Sequence, residues 1–177
     1  MHTRRELFGG AITAGTIPDL IDAANLRQVP DTQEVFMYPD SNISIIVEIL
    51  QRVESSHYSD AIRFHFDSLA HDNSARSAEV ESVSVIPNDR GDETPSAIVL
   101  KGIQFVPKFN HTTPDKVQIL MALFRVESKH IDLAVTFNIP IGCADGGAVS
   151  SEQSEKARAD FDTFVRTFRI VDFGLFA

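Results

Sequence analysis

Hydrophobic residues recur along this chain at two periods, and the periods divide it into strands and helices. Residues 96–106 place Ala97, Val99, Ile103 and Phe105 on one face and Ile98, Leu100 and Val106 on the other. Residues 117–126 set Val117, Ile119, Met121 and Leu123 against Leu120, Ala122, Phe124 and Val126. Strands that are apolar on both faces must be covered on both faces, as the inner strands of a sandwiched sheet are. Residues 131–139 alternate Ile131, Leu133, Val135, Phe137 and Ile139 with Asp132, Ala134, Thr136 and Asn138. The short gap at 128–130 before them predicts a hairpin, and so antiparallel pairing. Residues 79–86 and 35–38 read as further strands. Glu6–Phe8, Gly9-Gly10 and Ala11–Ile17 read as strand, turn and strand.

The helical period predicts three helices. The first is expected over 43–53, where Ile43, Ile46, Val47, Leu50 and Val53 share a face after the helix-start residues Pro39-Asp40-Ser41-Asn42. The second starts at Ser59 and aligns Ile62, Phe66 and Leu69. The third, Ser151–Phe168, is the most strongly amphipathic, with Ala157, Phe161, Phe164, Val165 and Phe168 in one stripe and Ser151 as the expected N-cap. The tail 169–177 can add a short strand, and 87–95 and 142–150 read as loops. With no repeat, low-complexity run or linker, the pattern implies one α+β domain over 1–177. Its expected core is a single antiparallel sheet of about six strands between helices, in α/β/α layers.

Composition narrows the partners. At 177 residues the chain is of single-domain length, and such a chain needs neither disulfide nor metal to fold. Sixteen Lys and Arg against 25 Asp and Glu give a net charge of −9 with no basic tract, which argues against nucleic acid. Cys143 is the sole cysteine, so no intrachain disulfide and no Cys-rich zinc site can form. No stretch approaches the roughly 20 apolar residues of a membrane span. Arg4-Arg5 resembles a twin-arginine signal, but the apolar stretch behind it is short, rich in Gly and Thr, and followed at once by Asp19 and Asp22. Sequons at Asn42 and Asn110 would matter only in a secreted protein.

The charge is unevenly placed. Residues 17–50 carry Asp19, Asp22, Asp31, Glu34, Asp40 and Glu48 against Arg27 alone, a net −5. This is either a solvated acidic face or a docking surface for a basic partner.

Catalytic motifs are few. Gly9-Gly10 and Gly146-Gly147 lack the Lys and Ser/Thr of a phosphate-binding loop, and no G-x-S-x-G elbow occurs. The six histidines show no H-x-x-x-H spacing for a metal. His65, between Phe64 and Phe66, reads as a structural helix histidine, Cys143 as a loop thiol, and Asp89, Asp92 and Glu93 as solvated loop acids. A hydrolase built on His65 or His111, or a small-molecule site in a cleft, stays open as an alternative, because catalytic groups can converge from distant positions.

The segment 19–36, DLIDAANLRQVPDTQEVF, is more distinctive. Pro30 fixes φ and biases Val29 to an extended conformation, and Asp31 and Thr32 favour a turn. Asp31 and Glu34 are then expected to be displayed three residues apart on a stiff, exposed turn.

Three blocks, LFGGAI (7–12), IDAANLRQVPDTQEV (21–35) and VDFGLFA (171–177), resemble the Ran guanine-nucleotide release factor family. SIIVEIL (44–50), taken as a helix, and RFHFDSL (63–69) agree more loosely. The resemblance implies a PsbP-like fold and a nuclear-transport protein that binds the GTPase Ran and favours release of its nucleotide, GTP especially. It implies no cofactor, no metal and no enzymatic step. The partner it implies is Ran, with Ran's chromatin-bound exchange factor as a candidate second one, for a monomer of the nucleus and cytoplasm that uses neither membrane nor nucleic acid. Carried over by position, the Ran-contacting carboxylates fall on Asp31 and Glu34, with Thr32 and Gln33 between them. Asp22 and Arg27 lie in the shared block, Arg27 as a potential tether of the turn. The family's acidic insertion before the first helix is reduced here to Pro39–Asn42, and the loops 87–95 and 108–115 match nothing in it. A scaffold that docks partners without releasing nucleotide is the other non-enzymatic alternative.

Overall fold

The structure is a computed structural model that describes residues 1–109 and 111–177, so the sequon residue Asn110 lies outside the described residues. The chain opens with β1 (Thr3–Leu7) and β2 (Ile12–Thr16), then β3 (Ile21–Asp22), β4 (Gln33–Met37), β5 (Ser44–Gln51), α1 (Tyr58–Asp72) and β6 (Ser77–Ile86). It continues with β7 (Ala97–Val106), β8 (Asp115–Val126), β9 (Ile131–Gly142), α2 (Ser151–Thr167) and β10 (Arg169–Ile170). The α+β class is as expected, and the expected single sheet is two. Seven strands run in the order β3-β4-β5-β9-β8-β7-β6, and three in the order β1-β2-β10, antiparallel throughout. Pro18, which has no N–H to donate, follows β2 as the chain leaves the small sheet. The β1–β2 hairpin instead pairs with the tail, Arg169 opposite Thr13 and Ile170 opposite Ile12. Together with α2 it covers one face of the large sheet, and α1 covers part of the other, against β6–β8.

The predicted helix at 43–53 is strand β5. Pro39–Asn42 forms the turn of a β4–β5 hairpin, closed by the Tyr38 N–H on the Ile43 carbonyl at 3.0 Å. Ile45 and Val47 enter the core under α2, while Ile46, Glu48 and Leu50 face the side of α1. A two-sided apolar strand fills helical as well as alternating positions, and the β-branched run Ile45-Ile46-Val47 decides for the strand. The third predicted helix forms as expected, but its cap is Ser150. The Ser150 hydroxyl accepts from the Gln153 N–H at 3.1 Å, and Gln153 Oε1 accepts from the Ser150 N–H at 2.9 Å. That reciprocal pair fixes the boundary one residue earlier.

Phenylalanines join α2 to the large sheet. Phe124 and Phe168 stack at 4.1 Å between centroids, and Phe137 meets Phe161 and Phe164 edge-on at 5.2 and 5.7 Å. Tyr38 Oη donates to the buried Asp160 at 2.8 Å and so pins the end of β4 to the same helix. On the opposite face Phe66 of α1 rests on Gly102 of β7, where a Cβ would lie 2.8 Å from the ring and 2.7 Å from the Glu79 carbonyl oxygen. No residue with a side chain fits there without moving the helix.

In the loop 87–95 Asp89 and Glu93 are exposed, as expected, while Asp92 is half-buried and hydrogen-bonded, and the loop is tied down. Arg90 caps the last turn of α2, donating to the carbonyls of Arg166 at 2.6 Å and Phe168 at 2.7 Å. Burial pushes the Asp92 carboxyl upward. Hydrogen bonds from the Thr94 N–H and Asn88, with the charge of Arg90, outweigh that and bring it from 3.8 to about 2. A depressed folded-state pKa stabilises above the unfolded value and loses that contribution as pH falls through the folded one. Protection of the amides at 88–95, taken relative to the intrinsic exchange rate at each pH, is therefore expected to fall as pH drops from 3.8 toward 2. Protection that stays flat over that window would contradict the assignment.

Candidate functional site

The 19–36 segment forms one edge of the large sheet. Asp22 ends β3 and caps the helical turn Ala23–Asn25, its carboxylate accepting from the Ala24 N–H at 2.9 Å. The Arg27 N–H bonds the Ala23 carbonyl at 3.0 Å. Its guanidinium is exposed and pairs with neither Asp31 nor Glu34 among the described residues, so the tether suggested for it does not form. Pro30 closes the next turn by accepting from the Gln33 N–H at 3.0 Å, and the Thr32 carbonyl accepts from the Ile49 N–H of β5 at 2.9 Å. This holds Asp31 and Thr32, both exposed, on a rigid corner. Among the described residues the Asp31 carboxylate has no hydrogen bond or ion pair.

Glu34 is placed differently from the expectation. It lies on β4 opposite Val47, half-buried, and accepts from the Phe8 N–H at 3.1 Å. Phe8 has φ 52°, followed by Gly9 at 68° and Gly10 at 94°. A phenylalanine in the left-handed region costs on the order of 1 kcal/mol, and the bond to Glu34 helps hold it there. Glu34 thus joins the small sheet to the large one as well as carrying charge. Burial pushes its carboxyl up, the Phe8 N–H opposes this, Asp22 adds to the rise and Arg5 reduces it. Gln33 points to the other face by strand alternation, and its Nε2 donates to Glu48 Oε1 at 3.3 Å.

The structure therefore brings Asp22 and Glu34 close enough to interact, sets Asp31 and Thr32 on the corner beside them, and sends Gln33 behind. The sequence reading missed four residues here. Arg5 lies 5.1 Å from the Phe36 ring centre and donates to Thr16 Oγ1 at 3.2 Å. Leu26, 69% exposed, and Ile21, 38% exposed, are bare apolar side chains on the same segment. Phe8 supplies a backbone donor from a distant part of the chain, for which a single sequence carries no signal.

His65, one of the two histidines of the alternative reading, is engaged structurally. His65 is buried, with Nε2 2.8 Å from Asp132 Oδ2. Asp132 also accepts from Arg125 Nε at 3.0 Å and the Val53 N–H at 3.2 Å. Burial and Asp115 both push the Cys143 thiol up, away from a reactive thiolate. Among the described residues no three of His, Cys, Asp and Glu gather to hold a metal, and no helix is long and apolar enough to cross a membrane.

An antiparallel sheet covered by helices, with acidic side chains displayed on a hydrogen-bonded corner at its edge, has the make-up of a surface that docks another protein. A family model described as Ran-interacting Mog1 protein matches residues 5–140. The zebrafish (Danio rerio) Ran guanine nucleotide release factor is 34% identical over 180 residues, covering 97% of this chain and 98% of the relative. The Saccharomyces cerevisiae nuclear import protein Mog1 is 30% identical, with 97% and 84% covered. The crystal structure of the S. cerevisiae Ran-binding protein Mog1p superimposes with a TM-score of 0.74 at 27% identity, covering 100% of this chain and 99% of that one. The chain belongs to the Mog1 family of Ran-interacting proteins.

Proposed function

We propose that this chain binds the GTPase Ran as one domain, promotes release of its guanine nucleotide, GTP especially, and so supports protein import into the nucleus. The reading rests on the near-complete match to a relative named Ran guanine nucleotide release factor. The site residues are Asp31 and Glu34, with Thr32, Gln33, Asp22 and Arg27 around them. The working protein is a monomer of nucleus and cytoplasm, and Ran's chromatin-bound exchange factor is a candidate second partner.

The mechanism is non-covalent. A release factor shifts Ran toward an open state only by binding that state more tightly than the loaded one. Asp31, rigidly held and unpaired, meets a Lys or Arg of Ran without first breaking a bond of its own. Leu26, exposed on the same edge segment, supplies apolar area. Glu34 adds charge from the strand, while its bond to Phe8 keeps the corner in register with the small sheet.

The deciding measurement is release of labelled GTP and GDP from purified Ran with and without the protein. Acceleration is expected. Binding without acceleration would leave a scaffold, and absence of binding would overturn the reading.

A further inference from the structure

On the far face of the large sheet α1 lies against β6–β8 and leaves the β5 side open. A groove of about 260 Å³ runs between its flank and β5. Ile46, Leu50, Met121 and Ala134 form an apolar floor. Phe64, 57% exposed, stands at the lip. Glu48 and Asp72 supply two carboxylates, and among the described residues no Lys or Arg lines the groove. Its one base, His65, faces Asp132. Glu48 is half-buried, with the Gln33 amide as its one hydrogen-bond partner among the described residues; burial, then Asp72, push its carboxyl up, against a smaller opposing effect of His65. The groove therefore has an apolar floor, an aromatic lip and uncompensated negative charge.

We infer that this groove is a second docking site, which takes a lysine or arginine and an adjoining apolar side chain from the same protein partner that meets the Asp31 corner. The inference rests on the Ran-binding reading. Its volume is smaller than the roughly 300–1,000 Å³ of small-molecule sites and suits side chains better than a cofactor. Charge complementarity selects a cation, since Glu48 and Asp72 repel each other until one approaches. The groove is also continuous with the corner. Gln33, which ends the Pro30–Gln33 turn and begins β4, donates to Glu48 directly, so a partner seated on Asp31 and Thr32 lies next to the groove.

The test compares Glu48→Gln, which keeps an acceptor for Gln33, and Phe64→Ala with Asp31→Lys, in affinity for Ran and thermal stability. Phe64→Ala is expected to weaken binding about tenfold. Glu48→Gln should weaken it several-fold, with a shallower dependence of affinity on salt, and both should melt near the unaltered protein. Wild-type affinity in both, while Asp31→Lys is impaired, would overturn the groove and leave the Ran reading standing. No binding of Ran by the unaltered protein would overturn both.

Discussion

Replacing Asp132 by alanine is expected to destabilise the fold by about 3–5 kcal/mol, the usual result of removing one partner from a buried charge pair. Asp132 is fully buried, and Arg125, whose side chain is 8% exposed, keeps its charge in any folded state. Arg125 also donates to the carbonyls of Ser55 and Val53, so the Asp132 network ties the connection between β5 and α1 to the sheet. The variant leaves a guanidinium, an imidazole and the Val53 N–H facing a space that holds no acceptor. Denaturant unfolding should show the full loss, and amide exchange should rise first at residues 53–57. Asp132→Asn should lose less, since the amide still accepts one bond. A loss below about 1 kcal/mol for the alanine variant would mean that water or a shifted side chain replaces the carboxylate. The pH dependence follows in sign. Burial raises the Asp132 carboxyl, but His65, Arg125 and the Val53 N–H together hold it below its ordinary 3.8. Its contribution is then present above that value and fades as pH falls below it.

Asp31→Lys should weaken binding to Ran by at least ~2 kcal/mol, or about 30-fold, while leaving the melting temperature almost unchanged. The structure separates this position from Glu34. Asp31 holds no bond within the chain, so reversing its charge reaches only the partner. Glu34→Lys removes the acceptor of the Phe8 N–H and sets a second cation near Arg5, so it should lower both affinity and stability. Glu34→Gln keeps an acceptor oxygen and should restore most of the stability without the charge. Isothermal titration with a parallel thermal melt distinguishes the three. Full affinity in folded Asp31→Lys would remove the corner from the interface.

How much the sequence disclosed depends on whether the deciding contact is local. Strands β7 to β9 were legible because both faces are apolar, and α2 because its phenylalanines fall on one stripe. Strand β5 was misread for the same kind of reason: Ile43, Ile46, Val47, Leu50 and Val53 satisfy a helical period, and only the sheet neighbours β4 and β9 show that the run is extended. The cap at Ser150 instead of Ser151 was decided by the reach of Gln153. The rigid corner at Pro30–Gln33 was foreseen from Pro, Asp and Thr chemistry. The position of Glu34 was not, because its partner Phe8 comes from another sheet. The division into two sheets was hidden likewise, since it depends on two tail residues pairing with a strand near the start of the chain.

The bare backbone at Gly102 has a consequence on the opposite flank of α1. Phe66 reaches its depth only because nothing projects from β7 beneath it, so one missing methyl sets the clearance between helix and sheet. The same helix forms a wall of the Glu48 groove. An alanine at 102 would act as a shim one carbon thick, pressing on the Phe66 ring and the Glu79 carbonyl alike: it would displace both α1 and β6 and so shift one wall of the groove without replacing any residue that lines it. The width of that groove is therefore adjustable from a position no partner would touch.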